Sequence, residues 1–321
     1  MTEEKIKQLS QELKNNFPNI KLFFNRPLAE YTSLKLGGPS RLLIIPQTTQ
    51  ELILSWQLSQ HYQLPTLILG SGTNVLISEK GFPGVTIINR VEEFRILKKM
   101  PKQLEFEITS GASLAGTIRK TLDLGFKDLL PFITIPGTIG GAIWNNAHYK
   151  NQLIGSFIVS VTTLDKQGNL KRYAHREINF AYDYSIFQEK EEFILSGRFK
   201  LNQPLRKDDD YQQKIKNYFQ ERQKNQPSKV YSTGCIFKNL DPQIAKKLHL
   251  PSYHSGYLID KAGLKGLKIG EAEVSQKHAN FIIHRGQATS QDFYQLIRLV
   301  QKKIKEKYGC PLELEVKLIG F

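Results

Sequence analysis

The sequence predicts an α+β fold. Three observations carry that expectation. Strand-like and helix-like segments mix without the regular βαβα rhythm of a doubly wound sheet. The first Gly-rich segment, LGSGTNVLISEKGFPGV at 69–85, follows a strand but has Val75 where a dinucleotide fingerprint would have its third glycine. A polar, charge-rich stretch, NQPLRKDDDYQQKIKNYFQERQKNQPSK at 202–229, marks the best candidate for a domain junction, and 321 residues suit about two domains.

The elements follow in order. Ile6, Leu9, Leu13 and Phe17 recur at helical spacing. RLLII at 41–45 reads as a strand, and Thr48 with Glu51 forms a capping-box pattern before a helix through ELILSWQLSQHY. TLILG at 66–70 and VTIIN at 85–89 read as strands on either side of a Gly-rich turn. LEFEITS at 104–110 alternates as a strand does, and SLAGTIRKTLDLGF reads as a helix ending at Gly125. SVTTLDKQGNLKRYA predicts a hairpin around Lys166–Asn169, and FILSGRFKL at 193–201 a further strand. The middle of the 202–229 stretch suits a helix, and another over 289–307 opens with Thr289 and Asp292. LELEVKLIG closes the chain as an alternating strand. There are no internal repeats.

Composition narrows the function classes. Hydrophobic residues make up 40% of the chain, enough for sizeable cores. No segment approaches the ~20 consecutive apolar residues of a membrane helix, and the amphipathic N-terminus lacks a signal-peptide run. Two cysteines, Cys235 and Cys310, make a disulfide scaffold unexpected and point to a reducing cytoplasm. No Cys/His cluster has metal-ligand spacing, so no structural metal is expected. The net charge of +15 suits either nucleic acid or small polyanions such as dinucleotides and sugar nucleotides. The lysines are dispersed among acids, and no basic run carries interleaved aromatics, so nucleic-acid binding is not expected.

The Gly-rich segments carry the chemistry. Gly70 and Gly72 let the backbone approach a ligand, successive N–H groups there form an anion-binding nest, and Thr73 and Asn74 add donors. ITIPGTIGGAIWNNAHY at 133–149 turns at Pro136-Gly137, bares its backbone at Gly140-Gly141, and supplies Asn145, Asn146 and His148. Two such segments suggest a pyrophosphate and a flat ring held by backbone. Close packing of a helix start against a sheet is the plain structural alternative.

NRPLAEYTSLKLGGPSRLLIIP, LGSGTNVLISEKGFPGV and IPGTIGGAIWNNAHY resemble, in this order, the FAD-binding half of the UDP-N-acetylenolpyruvoylglucosamine reductase (MurB) family. STGCIFKN, GYLIDKAGLKGLKIGEAEVSQKHANFIIHRGQATSQDF and LELEVKLIG resemble its substrate domain. The likeness runs from about residue 22 to the end and leaves no room for a long substrate-covering insertion, as in the shorter subtype.

The resemblance implies a vanillyl-alcohol-oxidase/PCMH-type FAD-binding domain over 1–204, in two lobes of roughly 1–90 and 91–204, and a smaller α+β substrate-binding domain over 205–321. It implies a cytoplasmic, monomeric reductase for peptidoglycan precursor synthesis. That enzyme would use tightly bound FAD and NADPH to reduce UDP-N-acetylglucosamine enolpyruvate, with neither nucleic acid nor membrane as partner. Thr32, the loop Gly70, Ser71, Gly72, Thr73, Asn74 and Val75, and Pro136, Gly137, Gly140 and Gly141 would contact the cofactor. Tyr182, Gln226, Lys238, Asn239 and His278 would contact substrate, although a histidine satisfied by backbone is an equal reading of His278.

Such a reaction needs a hydride at one enol-ether carbon, a proton at its neighbour and stabilisation of the enolate between. By resemblance, Cys235 stands where the family usually has a proton-donating serine. A thiol, with a reference pKa of ~8.5, can donate at neutral pH. Glu315 matches the catalytic glutamate; alternation alone puts Glu313 on the same strand face and cannot choose. Asp183, in YDYSIF, stands where the family has an arginine, reversing the charge; Arg119 and Lys238 are candidate replacements. Two other readings remain: a binding protein for FAD or sugar nucleotide without catalysis, and another flavin oxidoreductase on the same scaffold.

Overall fold

The computed structural model describes residues 2–206 and 208–321. The chain divides into two compact units that interleave in sequence: Met1–Arg26, Ser40–Ser71 and Pro83–Gln220 form the first, and Pro27–Pro39, Gly72–Phe82 and Glu221–Phe321 the second. The mixed, largely segregated strands and helices make the architecture α+β.

The first unit holds two cores. One gathers Leu9 and Leu13 of the helix Thr2–Asn16 with Leu42, Ile44, Leu52, Val85 and Ile87. Its four-stranded sheet runs in the order Lys21–Pro27, Pro39–Ile45, Phe82–Ile88, Thr66–Leu69, the last two parallel. Its second helix, Thr49–His61, begins as the sequence predicts, with Thr48 Oγ1 accepting from the Glu51 N–H at 3.2 Å. The Glu51 carboxylate reaches one residue further back than a capping box requires and accepts from the Gln47 N–H at 2.6 Å.

The other core lies against a five-stranded antiparallel sheet in the order Leu170–Ala174, Ile158–Leu164, Phe193–Leu201, Gln103–Thr109, Phe94–Met100. The Lys166–Asn169 turn joins the first two strands, pairing Leu164 with Leu170. Phe94, Phe106 and Phe199 stack across three strands at centroid distances of 4.6 and 5.2 Å, a ladder worth roughly 0.5–1.5 kcal/mol per pair beyond burial. Phe94–Met100 is a strand the sequence pattern does not reveal, because all but its first residue are exposed.

The second unit packs the helices Ser255–Lys261 and Ser290–Tyr308 beside a three-stranded sheet of Lys268–Ile269, Ala272–Val274 and Ile282–Ile283. Ser290–Tyr308 buries Phe293, Leu296, Ile297, Val300 and Ile304 along one stripe, opens with a Thr289–Asp292 capping box and ends at Gly309 with φ 67°. Two expectations change here. The loop after Gly72 contains a strand, Val75–Ile77, paired in parallel with Lys317–Ile319. The closing strand is therefore only Lys317–Ile319, since the backbone before it leaves the alternating conformation and Leu314 instead bridges Phe237. Glu313 and Glu315 do not share a strand face. Among the described residues no helix is long and apolar enough to cross a membrane.

Candidate functional site

In the first unit the two Gly-rich segments meet. A side chain at Gly70 would collide with Thr138 Oγ1 and Cγ2, so the end of the strand Thr66–Leu69 approaches the start of the helix Ile139–Trp144 at backbone distance. Thr138 caps that helix, its Oγ1 accepting from the Gly141 N–H at 3.4 Å. The two glycines that follow differ. Gly140 packs: its N–H donates to Ser110 O at 2.7 Å, and a Cβ would sit 2.8 Å from Ser110 Cβ. Gly141 is exposed, and a Cβ there would meet only Thr138 Oγ1, at 3.7 Å. Gly137, at φ 135°, accepts from the Leu114 N–H at 3.1 Å, and Pro136 is exposed beside it.

The same segment runs on to Asn145, Asn146 and His148. Asn146 is fully buried and clamps the turn at 181–184, its Nδ2 donating to Ala181 O at 2.7 Å. That turn closes on reciprocal Ala181 and Tyr184 backbone bonds, with Tyr182 exposed and Asp183 buried at φ 49°. The Asp183 side chain is wholly buried, with Oδ1 3.1 Å from His148 Nδ1 and 3.4 Å from Asn145 Nδ2. The Tyr182 and His148 ring centroids are 4.7 Å apart. A basic side chain beside Asp183 is His148, 35 positions away in sequence and not among the expected replacements; Arg119 lies exposed on the helix Leu114–Asp123.

In the second unit the other half of the first Gly-rich loop meets Thr32. Gly72 has φ 60°, and a Cβ would collide with Tyr31 O, so only glycine serves here. Its carbonyl accepts from the Ser33 N–H at 3.0 Å. Thr32, buried, donates its hydroxyl to Leu36 O at 2.9 Å. Thr73 continues the turn, and Val75 opens the strand opposite Lys317. Asn74 Nδ2 donates to Glu315 O at 3.1 Å, while Asn74 Oδ1 is buried with no hydrogen-bond partner.

Cys235 follows Gly234, at φ 85°, and is half-buried in a bridge to Phe281. The next residue joins it to the glutamate: the Ile236 carbonyl accepts from the Glu315 N–H at 2.9 Å. Asn280 locks the segment, its Oδ1 accepting from the Phe237 N–H at 3.0 Å and its Nδ2 donating to Phe237 O at 2.8 Å. The Lys238 N–H donates to Glu313 O at 2.9 Å, and Asn239 Oδ1 accepts from the Ser255 N–H at 3.2 Å. Cys235, Lys238, Asn239 and Glu315 therefore form one cluster with Asn74, and Glu313 is exposed at its edge. Gln226 is half-buried, with Oε1 lacking a partner. His278 is partly satisfied by backbone: its Nδ1 accepts from the Asn280 N–H at 3.3 Å, and burial, then the Lys265 charge, pushes its pKa down.

Two further basic residues join this cluster. Arg222, half-buried in the last turn of the helix Tyr211–Asn225, has its pKa lowered by burial, while the charge of Cys235 nearby acts in the opposite sense. Lys317 has its pKa lowered by burial and then by the charge of Lys238. The sequence reading missed both: Arg222 sits among polar residues that look like a solvated helix face, and Lys317 within an alternating pattern that the fold interrupts.

Two family models match the chain. Residues 40–174 match the family model of an FAD binding domain, and residues 226–319 that of the UDP-N-acetylenolpyruvoylglucosamine reductase C-terminal domain. The chain is 35% identical over 314 residues to the UDP-N-acetylenolpyruvoylglucosamine reductase of Caldanaerobacter subterraneus subsp. tengcongensis, covering 97% of this chain and 98% of that protein. It is 34% identical over 296 residues to the protein of that name from Chlamydia felis, covering 92% and 93%. The crystal structure of UDP-N-acetylenolpyruvylglucosamine reductase from Thermus caldophilus superposes with a TM-score of 0.70 at 27% identity, over 94% of this chain and 99% of that one.

Proposed function

Because the chain belongs to the UDP-N-acetylenolpyruvoylglucosamine reductase family, we propose that it reduces UDP-N-acetylglucosamine enolpyruvate to UDP-N-acetylmuramate with NADPH. One observation carries the reading: Cys235 and Glu315, far apart in sequence, are joined through Ile236 at 2.9 Å within the segment matching the family's C-terminal domain.

The residues present fit FAD. Gly141 leaves exposed backbone with open space beside it at the start of the helix Ile139–Trp144, and the unpartnered Asn74 Oδ1 is a buried acceptor suited to a ligand N–H. Thr32, Gly70–Val75, Pro136, Gly137, Gly140 and Gly141 would hold the cofactor. When bound, FAD relays the hydride of NADPH to the enol-ether carbon.

The chain's own residues supply the remainder. The Cys235 S–H bond breaks as its proton passes to the neighbouring carbon, and the thiolate is reprotonated from solvent. Glu315, in its protonated form, donates a hydrogen bond to the substrate carboxylate as charge grows there. Lys238 and Lys317 hold the diphosphate as paired point charges, with Asn239, Gln226, Tyr182 and His278 as further contacts. One proton and one hydride add across the double bond, consuming one NADPH. We further read it as a cytoplasmic monomer acting on small molecules; a chain with two cysteines suits a reducing compartment.

The direct test is the visible spectrum of the purified protein together with NADPH absorbance. A flavin spectrum and NADPH loss that requires the enolpyruvyl sugar nucleotide are expected. A flavin spectrum without substrate-dependent loss overturns the reaction, and failure to take up FAD on reconstitution overturns the whole reading.

A further inference from the structure

We propose that Thr233 is a binding residue for the cofactor, its buried hydroxyl hydrogen-bonding the polar, pyrimidine side of the flavin ring. The inference rests on the reductase reading, in which the site takes FAD, and adds a contact that lies outside the Gly-rich segments.

Thr233 stands in a bulge of the second unit. Tyr231 bridges His284 and Cys235 bridges Phe281, so the three residues 232–234 lie opposite only two, Ile282 and Ile283. Gly234, at φ 85°, absorbs the extra residue. Such a bulge bends its strand and re-aims the side chain beside it. Ser33 fixes this arch from another segment of the same unit. Its Oγ donates to Ser232 O at 2.8 Å, and its N–H donates to Gly72 O at 3.0 Å. One residue, directly after Thr32, thus ties the approach to Cys235 to the loop of Gly72 and Asn74.

The arch carries one orphan group. Thr233 is 7% exposed, and its Oγ1 is buried with no hydrogen-bond partner among the described residues. A buried hydroxyl without a partner destabilises the fold, and valine fills the same volume without that cost. A hydroxyl kept at such a point answers to a ligand. Asn74 Oδ1, tied to the same arch through Gly72 and Ser33, is a second orphan atom in this unit. The neighbours select the part of the ligand. Cys235, two residues on, protonates the carbon adjacent to the one that receives hydride, so only the substrate's double bond separates it from the flavin ring. The pyrimidine side of that ring is a cyclic imide, with carbonyls and an N–H that a hydroxyl can bond; the dimethylbenzene side has none. The uracil of the sugar nucleotide offers the same imide chemistry, and the measurements below separate the two.

The experiment compares Thr233→Val, which keeps the shape and removes the hydroxyl, with Thr233→Ser, which keeps the hydroxyl. In the Val holoenzyme, release of FAD, read as free-flavin fluorescence after dilution, should be about tenfold faster than in wild type. The visible bands of the bound flavin should shift. Donation to the ring favours its more negative, reduced form, so the two-electron reduction equilibrium should move about tenfold toward oxidised flavin, a fall of ~30 mV in midpoint potential. Thr233→Ser should stay within about threefold of wild type in release and keep the wild-type spectrum. Freed of the orphan hydroxyl, FAD-stripped Thr233→Val should melt no lower than stripped wild type, which separates a lost ligand contact from a damaged fold. Release, spectrum and potential all unchanged in Thr233→Val would overturn the inference, as would a lower melting temperature of the stripped variant. Unchanged flavin properties with a calorimetric Kd for UDP-N-acetylmuramate weakened about tenfold would overturn it in favour of the uracil ring. Each of these leaves the reductase reading standing, whereas wild-type protein that takes up no FAD overturns both.

Discussion

Cys235 is half-buried where Gly234 turns the chain, with the Arg222 charge close by. Cys310, by contrast, is fully buried, and burial pushes its thiol pKa up. Of the two, only Cys235 has the exposure that the proposed donor role needs, since solvent must recharge the thiol. Serine places a donor hydroxyl at nearly the same point, whereas alanine removes the proton. Cys235→Ser should therefore keep kcat within about tenfold and Cys235→Ala should lose ~10²–10⁴-fold, with the melting temperature little changed in either. Steady-state rates of NADPH oxidation check this, and an alanine variant at full activity would exclude Cys235 as the donor. The cysteine was legible in sequence because GCIFKN is one local word. The pairing of His148 with Asp183 was not, because it spans 35 positions and depends on a clamp by Asn146 that no periodicity records.

At the scale of elements, His284 ties three segments of the second unit. Its backbone bridges Tyr231, its Nε2 donates to Leu34 O at 2.7 Å, and its Nδ1 accepts from the Gly286 N–H at 3.1 Å. These partners require the neutral ring; a proton on Nδ1 would turn an acceptor into a donor facing an N–H. Burial pushes its pKa below the ordinary 6.5, against a smaller opposite effect of the Leu34 carbonyl. The unfolded chain therefore binds the proton first. This contribution to stability is fully present above pH 6.5 and is lost as pH falls through the folded-state value. Melting temperature should drop on acidification from pH 7 toward 5, and His284→Asn should start lower but vary less over that interval. An unchanged slope would assign the acid sensitivity elsewhere. Elements themselves were legible where apolar residues are buried, along nearly the whole of Phe193–Leu201 and along one stripe of Ser290–Tyr308. They were hidden where both faces meet solvent, as in Phe94–Met100, or where a Gly-rich loop masks a short strand, as in Val75–Ile77.

For the molecule as a whole, the net charge of +15 is the largest property that no single site uses up. Both proposed substrates are polyanions, and two lysines of the candidate site, Lys238 and Lys317, already interact as like charges. A field of this sign concentrates anions at the surface, and its reach is set by salt: about 30 Å at 0.01 M but about 8 Å at 0.15 M. Raising ionic strength across that range should lower kcat/KM for NADPH and for the enolpyruvyl sugar nucleotide several-fold, and leave kcat largely unchanged. Lys317→Gln should reduce the salt dependence for the sugar nucleotide more than for NADPH, because its charge acts locally on the diphosphate. If neither kcat/KM responds to salt, the dispersed lysines serve solubility alone, and recognition of both substrates is a matter of close contacts within the site.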